Sequence, residues 1–538
     1  MTAQPSLETV TQLSRRFSES VILGLLTKKM RRIMRLGIDF GTTRTVVSLC
    51  DDGNHPVVEF EDGEGALHGG FPSVIAASGD VLCYGLDAVA RLGDPAWTVL
   101  PSFKRLLSGA VASVRLGESD HLPADLLAGY LRALQSALLT RSTLSEHCAA
   151  DEVIEVIVAT PAYAPSSQRF ATMEAFRHAG FQVIGLMSEP AAAGVEYASR
   201  YQRTFNSRRQ TVLIYDLGGG TFDASVVSMT GDAHDVTATA GLPRVGGDDF
   251  DAVLAELALA AVAVAPDSLS AAERTWLQLH CRDQKEQLHS NSRRVTVELG
   301  GIAGLPEDAY ATIPVADFYA GCQPLIDETL AVLQPLLSSG EDPLAGIAGV
   351  YVVGGASALP AVSRALKAAF GRRVHRALAP AAATAVGLAH AFTSVAAFSE
   401  PLSRSFGVFR EADGGREVRF DLIFDASEKI PASGHVQQVR TYRPAHNIGH
   451  FRYIECTDMD DGSVPGGDIS PLADIRFPYD AALRRDDADL EAVSVQRLVE
   501  KLPVIEERYT IDASGIIEFS ITDLDSGFSH QHRFEPQA

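Results

Sequence analysis

Three apolar runs, each broken by glycine, set the frame of this chain. Leu36-Gly37-Ile38-Asp39-Phe40-Gly41-Thr42-Thr43 reads as a buried strand entering a turn of small residues, and Thr45 to Leu49 reads as the strand that follows. Leu213-Ile214-Tyr215-Asp216-Leu217-Gly218-Gly219-Gly220-Thr221 repeats that plan, with Phe222 to Val227 as its second strand. Asp216 lies 177 residues after Asp39, and Gly218 stands to Asp216 as Gly41 stands to Asp39. This internal echo predicts two similar lobes, each aiming a hairpin at a shared cleft. Val350-Tyr351-Val352-Val353-Gly354-Gly355-Ala356-Ser357 is a third buried strand entering a turn, with a helix after Pro360. From about Ser403 the helical spacing fades. Tyr509 to Asp512 leads into Ala513-Ser514-Gly515, after which Ile517, Phe519 and Ile521 alternate with polar residues. Asp525-Ser526-Gly527 then turns the chain into a last strand through His530, His532 and Phe534. This pattern predicts an antiparallel meander with one buried face.

The first 35 residues differ from the rest. Seven Lys and Arg residues (Arg15, Arg16, Lys28, Lys29, Arg31, Arg32, Arg35) face only Glu8 and Glu19, while Leu7, Val10, Leu13, Phe17, Val21 and Leu25 recur at helical spacing. A membrane-surface helix fits that pattern, and so does a true start at Met30 or Met34. The apolar run Val21 to Leu26 is too short to span a bilayer, so no transmembrane segment is expected.

At 538 residues, two or three structural units are expected. A hydrophobic fraction of 46% with 21% charged residues suits a protein with a sizeable core. The net charge of −22, spread along the chain, repels phosphate backbones and argues against nucleic acid as a general partner. Any bound phosphate must therefore be held by local backbone donors and a metal ion. Six scattered cysteines (Cys50, Cys83, Cys148, Cys281, Cys322, Cys456) show no zinc or redox spacing, which points to reduced thiols in the cytoplasm.

The chemistry of the two echoed turns is phosphate recognition. Successive backbone N–H groups in a glycine turn converge on phosphate oxygens that a Cβ would obstruct. Thr42, Thr43 and Thr221 add hydroxyl donors. Asp39 and Asp216 would repel a polyphosphate unless a divalent cation sat between them. Mg²⁺ keeps several of its waters, so both carboxylates are expected to act through those waters. Gly354 and Gly355 allow close backbone approach to a flat ring or ribose, and read as the nucleoside end of the site.

These residues resemble the seventy-kilodalton heat-shock (DnaK-type) chaperones, strongly from Leu36 to about Phe392 and weakly beyond. The resemblance rests on Ile38-Asp39-Phe40-Gly41-Thr42-Thr43, Ala159-Thr160-Pro161-Ala162-Tyr163, Ser188-Glu189-Pro190-Ala191-Ala192-Ala193, Asp216-Leu217-Gly218-Gly219-Gly220-Thr221-Phe222-Asp223 and Gly246-Gly247-Asp248-Asp249-Phe250-Asp251. It implies an α/β actin-like ATPase fold, two lobes around a nucleotide cleft over 36–393. A linker over 394–405 and a C-terminal antiparallel β-sandwich over 406–538 would follow, after a 1–35 extension. It implies ATP or ADP with Mg²⁺ as ligands. Lys104 aligns with the family's catalytic lysine, and Glu189 with a carboxylate that positions the hydrated metal. Asp216 and Asp223 would order metal waters and the nucleophilic water, Thr221 would hold that water in line, and Asp39 would face the metal from the other lobe. Gly41, Thr42, Thr43, Gly218, Gly219, Gly220, Gly247, Lys285, Gly354 and Gly355 would cradle the nucleotide. Pro161 and Arg169 match positions that relay nucleotide state to the second domain. Taken singly, Lys104 reads as a solvated helix lysine, Asp223 as the end of a turn and Pro161 as a strand terminator; with the surrounding motifs in register, function is the better reading for Lys104, Glu189 and the three aspartates.

The chain departs from the family pattern in several places. Ser270-Ala271-Ala272-Glu273 reads as a capping box opening a helix. On that helix Arg282, Lys285, Glu286 and His289 fall near one face. Lys285 matches a residue that reaches the ribose. Arg282 and His289 replace an acidic residue and a serine, Glu286 replaces a basic residue, and Ala358 replaces an arginine that stacks on adenine. Losing that stack costs about 1 kcal/mol of binding. Gly185 stands in place of an arginine that engages a J-domain partner, and 394–405 lacks the acidic residue and leucine run of the family's docking segment.

The resemblance implies unfolded or extended polypeptide clients, a J-domain co-chaperone and a nucleotide exchange factor as partners. Lys429-Ile430-Pro431 before a strand over Val436 to Tyr442 resembles the family's peptide-binding β-sandwich. Ala538 follows the last strand with no helical lid, so rapid peptide release is expected. His446, His450, His530 and His532 read as loop and strand histidines. Asp458-Met459-Asp460-Asp461-Gly462 lacks the remaining ligand spacing of a calcium loop. The reading is an ATP-hydrolysing chaperone. Its rivals are a partner-specific ATP-binding module with negligible hydrolysis, a small-molecule kinase of the same superfold and a filament-forming relative.

Overall fold

The computed structural model describes residues 33–533 apart from 109–112, 147–151, 231–232, 243, 338–343, 394–400, 413–416, 432, 461–463, 486–488 and 498–502. The basic N-terminal stretch up to residue 32, Cys148, most of the linker, Asp461-Gly462 and Phe534 lie outside the described residues.

Lobe I comprises β1 (Ile33–Phe40), β2 (Arg44–Leu49), β3 (Phe71–Pro72), α1 (Pro123–Thr140), β4 (Val153–Thr160), α2 (Ser166–His178), β5 (Gln182–Ser188) and α3 (Glu189–Tyr201). Its main sheet has the order β5-β4-β1-β2-β3, with β1 parallel to β4 and antiparallel to β2. The sequence expectation started the first strand at Leu36. It starts at Ile33, because Ile33, Met34 and Arg35 extend the ladder to Val153, Ile154 and Glu155, and Arg35 Nε donates to Glu155 Oε2 at 3.0 Å.

Lobe II comprises β6 (Thr211–Leu217), β7 (Phe222–Thr230), β8 (Ala233–Leu242), α4 (Gly247–Ala261), α5 (Ala271–Glu286), α6 (Val315–Val332), β9 (Ile347–Val353), α7 (Pro360–Phe370) and β10 (Val374–Arg376). The order β8-β7-β6-β9-β10 repeats the lobe I plan: β6 is antiparallel to β7 and parallel to β9, as β1 is to β2 and β4. β9 is buried along its whole length, as a strand covered on both faces must be. The chain then returns to lobe I through α8 (Ala383–Ala391), which packs between β1 and α3. Two glycines permit that approach. A Cβ on Gly37 would lie 2.3 Å from the Ala385 carbonyl oxygen, and one on Gly387 only 1.8 Å from that of Ala192.

Among the described residues the C-terminal domain has eight strands: β11 (Ser405–Ala412), β12 (Glu417–Phe424), β13 (His435–Tyr442), β14 (Ile448–Asp460), β15 (Val464–Pro478), β16 (Ile505–Asp512), β17 (Ile517–Asp523) and β18 (Ser529–His532). They form two antiparallel sheets, β12-β11-β14-β15 and β13-β16-β17-β18. Phe406 and Tyr453 from one sheet meet Tyr509 and Phe519 from the other in a shared aromatic core. Buried Glu507 accepts from Arg410 across the sandwich at 2.7 and 2.6 Å, and from Tyr442 at 2.5 Å.

This domain sits against lobe I. Glu455 on β14 accepts from the Ser166 backbone N–H at 3.1 Å and from its hydroxyl at 2.7 Å, at the first turn of α2. Arg169 donates to the Ser514 carbonyl at 3.0 Å, and Ser403 to the Ala162 carbonyl at 2.6 Å. No helix among the described residues is long and apolar enough to cross a membrane.

Candidate functional site

The two echoed hairpins deliver their turns to opposite walls of one cleft. In lobe I the Gly41 N–H donates to the Asp39 carbonyl at 3.1 Å, and in lobe II the Gly218 N–H donates to the Thr221 carbonyl at 3.0 Å. The turns lie so close that a Cβ on Gly219 would stand 2.2 Å from Thr43 Cγ2. Gly354, at φ +83°, passes beside Asp216, where a Cβ would fall 2.4 Å from the carboxylate. The cleft is lined by Asp39, Gly41, Thr42, Thr43, Lys104, Glu189, Asp216, Gly218, Gly219, Thr221, Asp223, Gly247, Lys285, Gly354 and Gly355. Gly220, expected in the cradle, is not among these residues. It turns instead toward Thr42 and Arg105, whose guanidinium donates to the Gly220 carbonyl at 3.0 Å.

The floor of the cleft is acidic. Asp216 and Asp223 are direct cross-strand partners on β6 and β7, a like-charged pairing that costs stability. Glu189 opens α3, where a helix N-terminus favours a carboxylate. Burial, and then the Glu189 charge, push the Asp39 and Asp223 carboxyls up to about 7. Asp216 is also raised well above the ordinary carboxylate range, by burial and then by Glu189, Asp223 and Asp39. Lys104 answers these charges from the 3₁₀ turn Phe103–Ser108, with Nζ donating to the Phe40 carbonyl and lying 3.4 Å from Glu189 Oε1.

Four carboxylates against one ammonium leave a charge deficit that a divalent cation fits. Among the described residues no three His, Cys, Asp or Glu side chains converge tightly enough to ligate one ion directly. The fit of Mg²⁺ here rests on charge, since that ion keeps several of its waters and does not require a close-packed ligand set. His446, His450, His530 and His532 form no such cluster either among the described residues, and His450 pairs with Asp474 at 2.7 Å.

The far end of the cleft is built by α4 and α5. Ser270 and Glu273 close the expected capping box, at 3.2 and 2.7 Å. Arg282 reaches Asp248 at 2.7 Å and Asp251 at 3.3 Å, while Lys285 reaches Asp251 and the Gly247 carbonyl, both at 2.6 Å. Glu286 pairs with Arg44 of lobe I, across the mouth of the cleft. His289 does not share this face. The helix ends at Glu286, and the His289 ring turns away to Ser292 at 2.7 Å.

Sequence reasoning assigned no role to Arg44, Arg105, Asp248 or Asp251. Arg105 adjoins Lys104 and lies 3.6 Å from Asp248, which also accepts from Ser102 at 3.1 Å. The available signals were adjacency to the Thr42-Thr43 turn, to Lys104 and to the Gly246-Gly247 pair. Gly185 lies on β5 with open space where a side chain would stand.

Two lobes repeating one strand plan, each presenting a hairpin turn to a common cleft, define the actin-like class of ATPase folds. The chain belongs to the Hsp70 family, whose model (Hsp70 protein) matches residues 35–396, more than half of its length. It is 28% identical over 506 residues to the chaperone protein DnaK of Mycoplasma mycoides subsp. mycoides, covering 91% of this chain and 78% of that one. It is 27% identical over 528 residues to a chaperone protein HscA homologue of Pseudomonas fluorescens, covering 94% and 78%. An HscA homologue of Bordetella petrii is 30% identical over 382 residues, 67% of this chain and 58% of that relative.

Proposed function

We propose that this protein is an ATP-dependent chaperone of the DnaK type, hydrolysing Mg-ATP to regulate its hold on unfolded or extended polypeptide segments. The observation that carries this reading is the pair of glycine turns facing each other over four carboxylates and Lys104. The backbone N–H groups of Thr42, Thr43 and Gly219, beyond the turn-closing bonds of Gly41 and Gly218, hold the phosphates. Lys104, anchored on the Phe40 carbonyl, steadies the charge that builds on the γ-phosphate as its bridging bond breaks. Thr221 and Asp223 hold the attacking water in line. Mg²⁺, held through its waters by Asp39, Asp216 and Glu189, would supply the positive charge that lets a triphosphate enter an acidic cleft. The polypeptide partner belongs to the β-sandwich, whose strands would grip an extended segment by main-chain bonds. A J-domain co-chaperone and a nucleotide exchange factor complete the proposed cycle.

A partner-specific binding module with negligible turnover is the second reading, favoured by the charged pairs occupying the nucleoside end. Single-turnover hydrolysis with Mg²⁺, beside Thr221→Ala and with or without an unfolded polypeptide, separates the two. Hydrolysis stimulated by polypeptide and reduced at least tenfold in the variant is the expected outcome. Tight ATP binding with no turnover in either protein leaves the binding module.

A further inference from the structure

Selectivity among nucleotide bases requires fixed donors and acceptors facing the edge of the ring. A site built to hydrogen-bond an edge rejects the wrong analogue strongly, whereas a merely apolar slot discriminates weakly. The phosphate end of this cleft is set by the two opposed glycine turns, so the base extends toward α5 and the Gly354 turn. There the charged groups are already committed to one another. Asp251 is wholly buried and is matched by Lys285 at 2.6 Å and Arg282 at 3.3 Å. Turning either cation to a ligand leaves that buried carboxylate with one cationic partner in place of two, a cost that favours both where they are. The remaining charged pair, Arg44 and Glu286, differs in kind. Its partners come from opposite lobes, and their side chains are 37% and 44% exposed, so it is weak enough to open and reclose. The other side chains at this end are small: Ala356, Pro380, Ala381 and Thr384, the last with one hydroxyl in a buried position.

Resting on the reading of the cleft as a nucleoside triphosphate site, we infer that it takes its ligand by the phosphates and does not discriminate adenine from guanine, the Arg44–Glu286 pair closing over the base without reading its edge. Either purine lies against the same floor of small side chains. The clasp adds residence time to both alike, because it contacts the outside of the ligand.

Calorimetric titration of the full chain with Mg-ATP, Mg-GTP and inorganic tripolyphosphate tests this. Dissociation constants for ATP and GTP within about threefold, with tripolyphosphate competing for the same site, are expected. Arg44→Ala and Glu286→Ala, both on exposed side chains, should weaken ATP and GTP together and leave their ratio within about twofold. ATP bound more than tenfold tighter than GTP, or a ratio moved more than tenfold by either variant, overturns the inference and leaves the ATPase reading intact. Failure of all three ligands to bind overturns both.

Discussion

At the scale of single residues, the cleft is held in tension by its own carboxylates. Asp39 and Asp223 are raised to about 7 from an ordinary value of 3.8, so the folded, metal-free protein holds protons that the unfolded chain has released. Their stabilising contribution is complete below about pH 4 and is lost as pH rises through about 7. The melting temperature of the metal- and nucleotide-free protein should therefore carry a falling contribution from these two groups between about pH 4 and pH 7, levelling off above it. Mg-ATP should shrink that fall, and Asp39→Asn should reduce it in the free protein. A melting temperature that rises across this window in the wild type, with no change in the variant, would contradict the assignment. Much of this floor was legible beforehand, because an Asp ending an apolar strand before a glycine turn is a local pattern. The cross-lobe partners were not: Arg44 and Glu286 lie 242 residues apart, and pairing across such a distance leaves no mark on spacing.

At the scale of elements, glycine marks where secondary structures touch. Gly387 on α8 meets the Ala192 carbonyl of α3, and Gly37 on β1 meets the backbone of α8. Gly387→Ala inserts a methyl where no space exists and should destabilise the ATPase lobes by about 3 kcal/mol, read by denaturant unfolding. A change below about 0.5 kcal/mol would mean that the two helices separate easily. The strands and their turns followed from periodicity and glycine placement, since both act over a few residues. Element ends were harder. The three- and four-residue spacing from Arg282 carried on to His289, yet α5 stops three residues earlier without a glycine or proline to announce it. The β1 start was misplaced for a related reason: Ile33 to Arg35 are strand because β4 lies alongside, not because of their own pattern.

At the scale of the whole molecule, the two domains share the beginning of α2. Its N-cap position is Pro165, which offers no side-chain acceptor, and the acceptor comes from Glu455 on the β-sandwich. Glu455→Ala should leave the buried Ser166 N–H without a partner, at about 1–3 kcal/mol, and loosen the contact between domains. Hydrogen exchange over residues 166–170 should then speed up while exchange in β6 and β9 stays the same. Unchanged protection at 166–170 would show that Arg169 and Ser403 suffice to hold the domains together.

The return of α8 to lobe I bears on how the chain is made. β1 leaves the ribosome well before the helix that covers it, which lies on the far side of the whole of lobe II. Lobe I thus stays unfinished, with an apolar face of β1 uncovered, until translation has passed Ala391. Apolar surface left open in this way is prone to aggregation while the rest of the chain is being made.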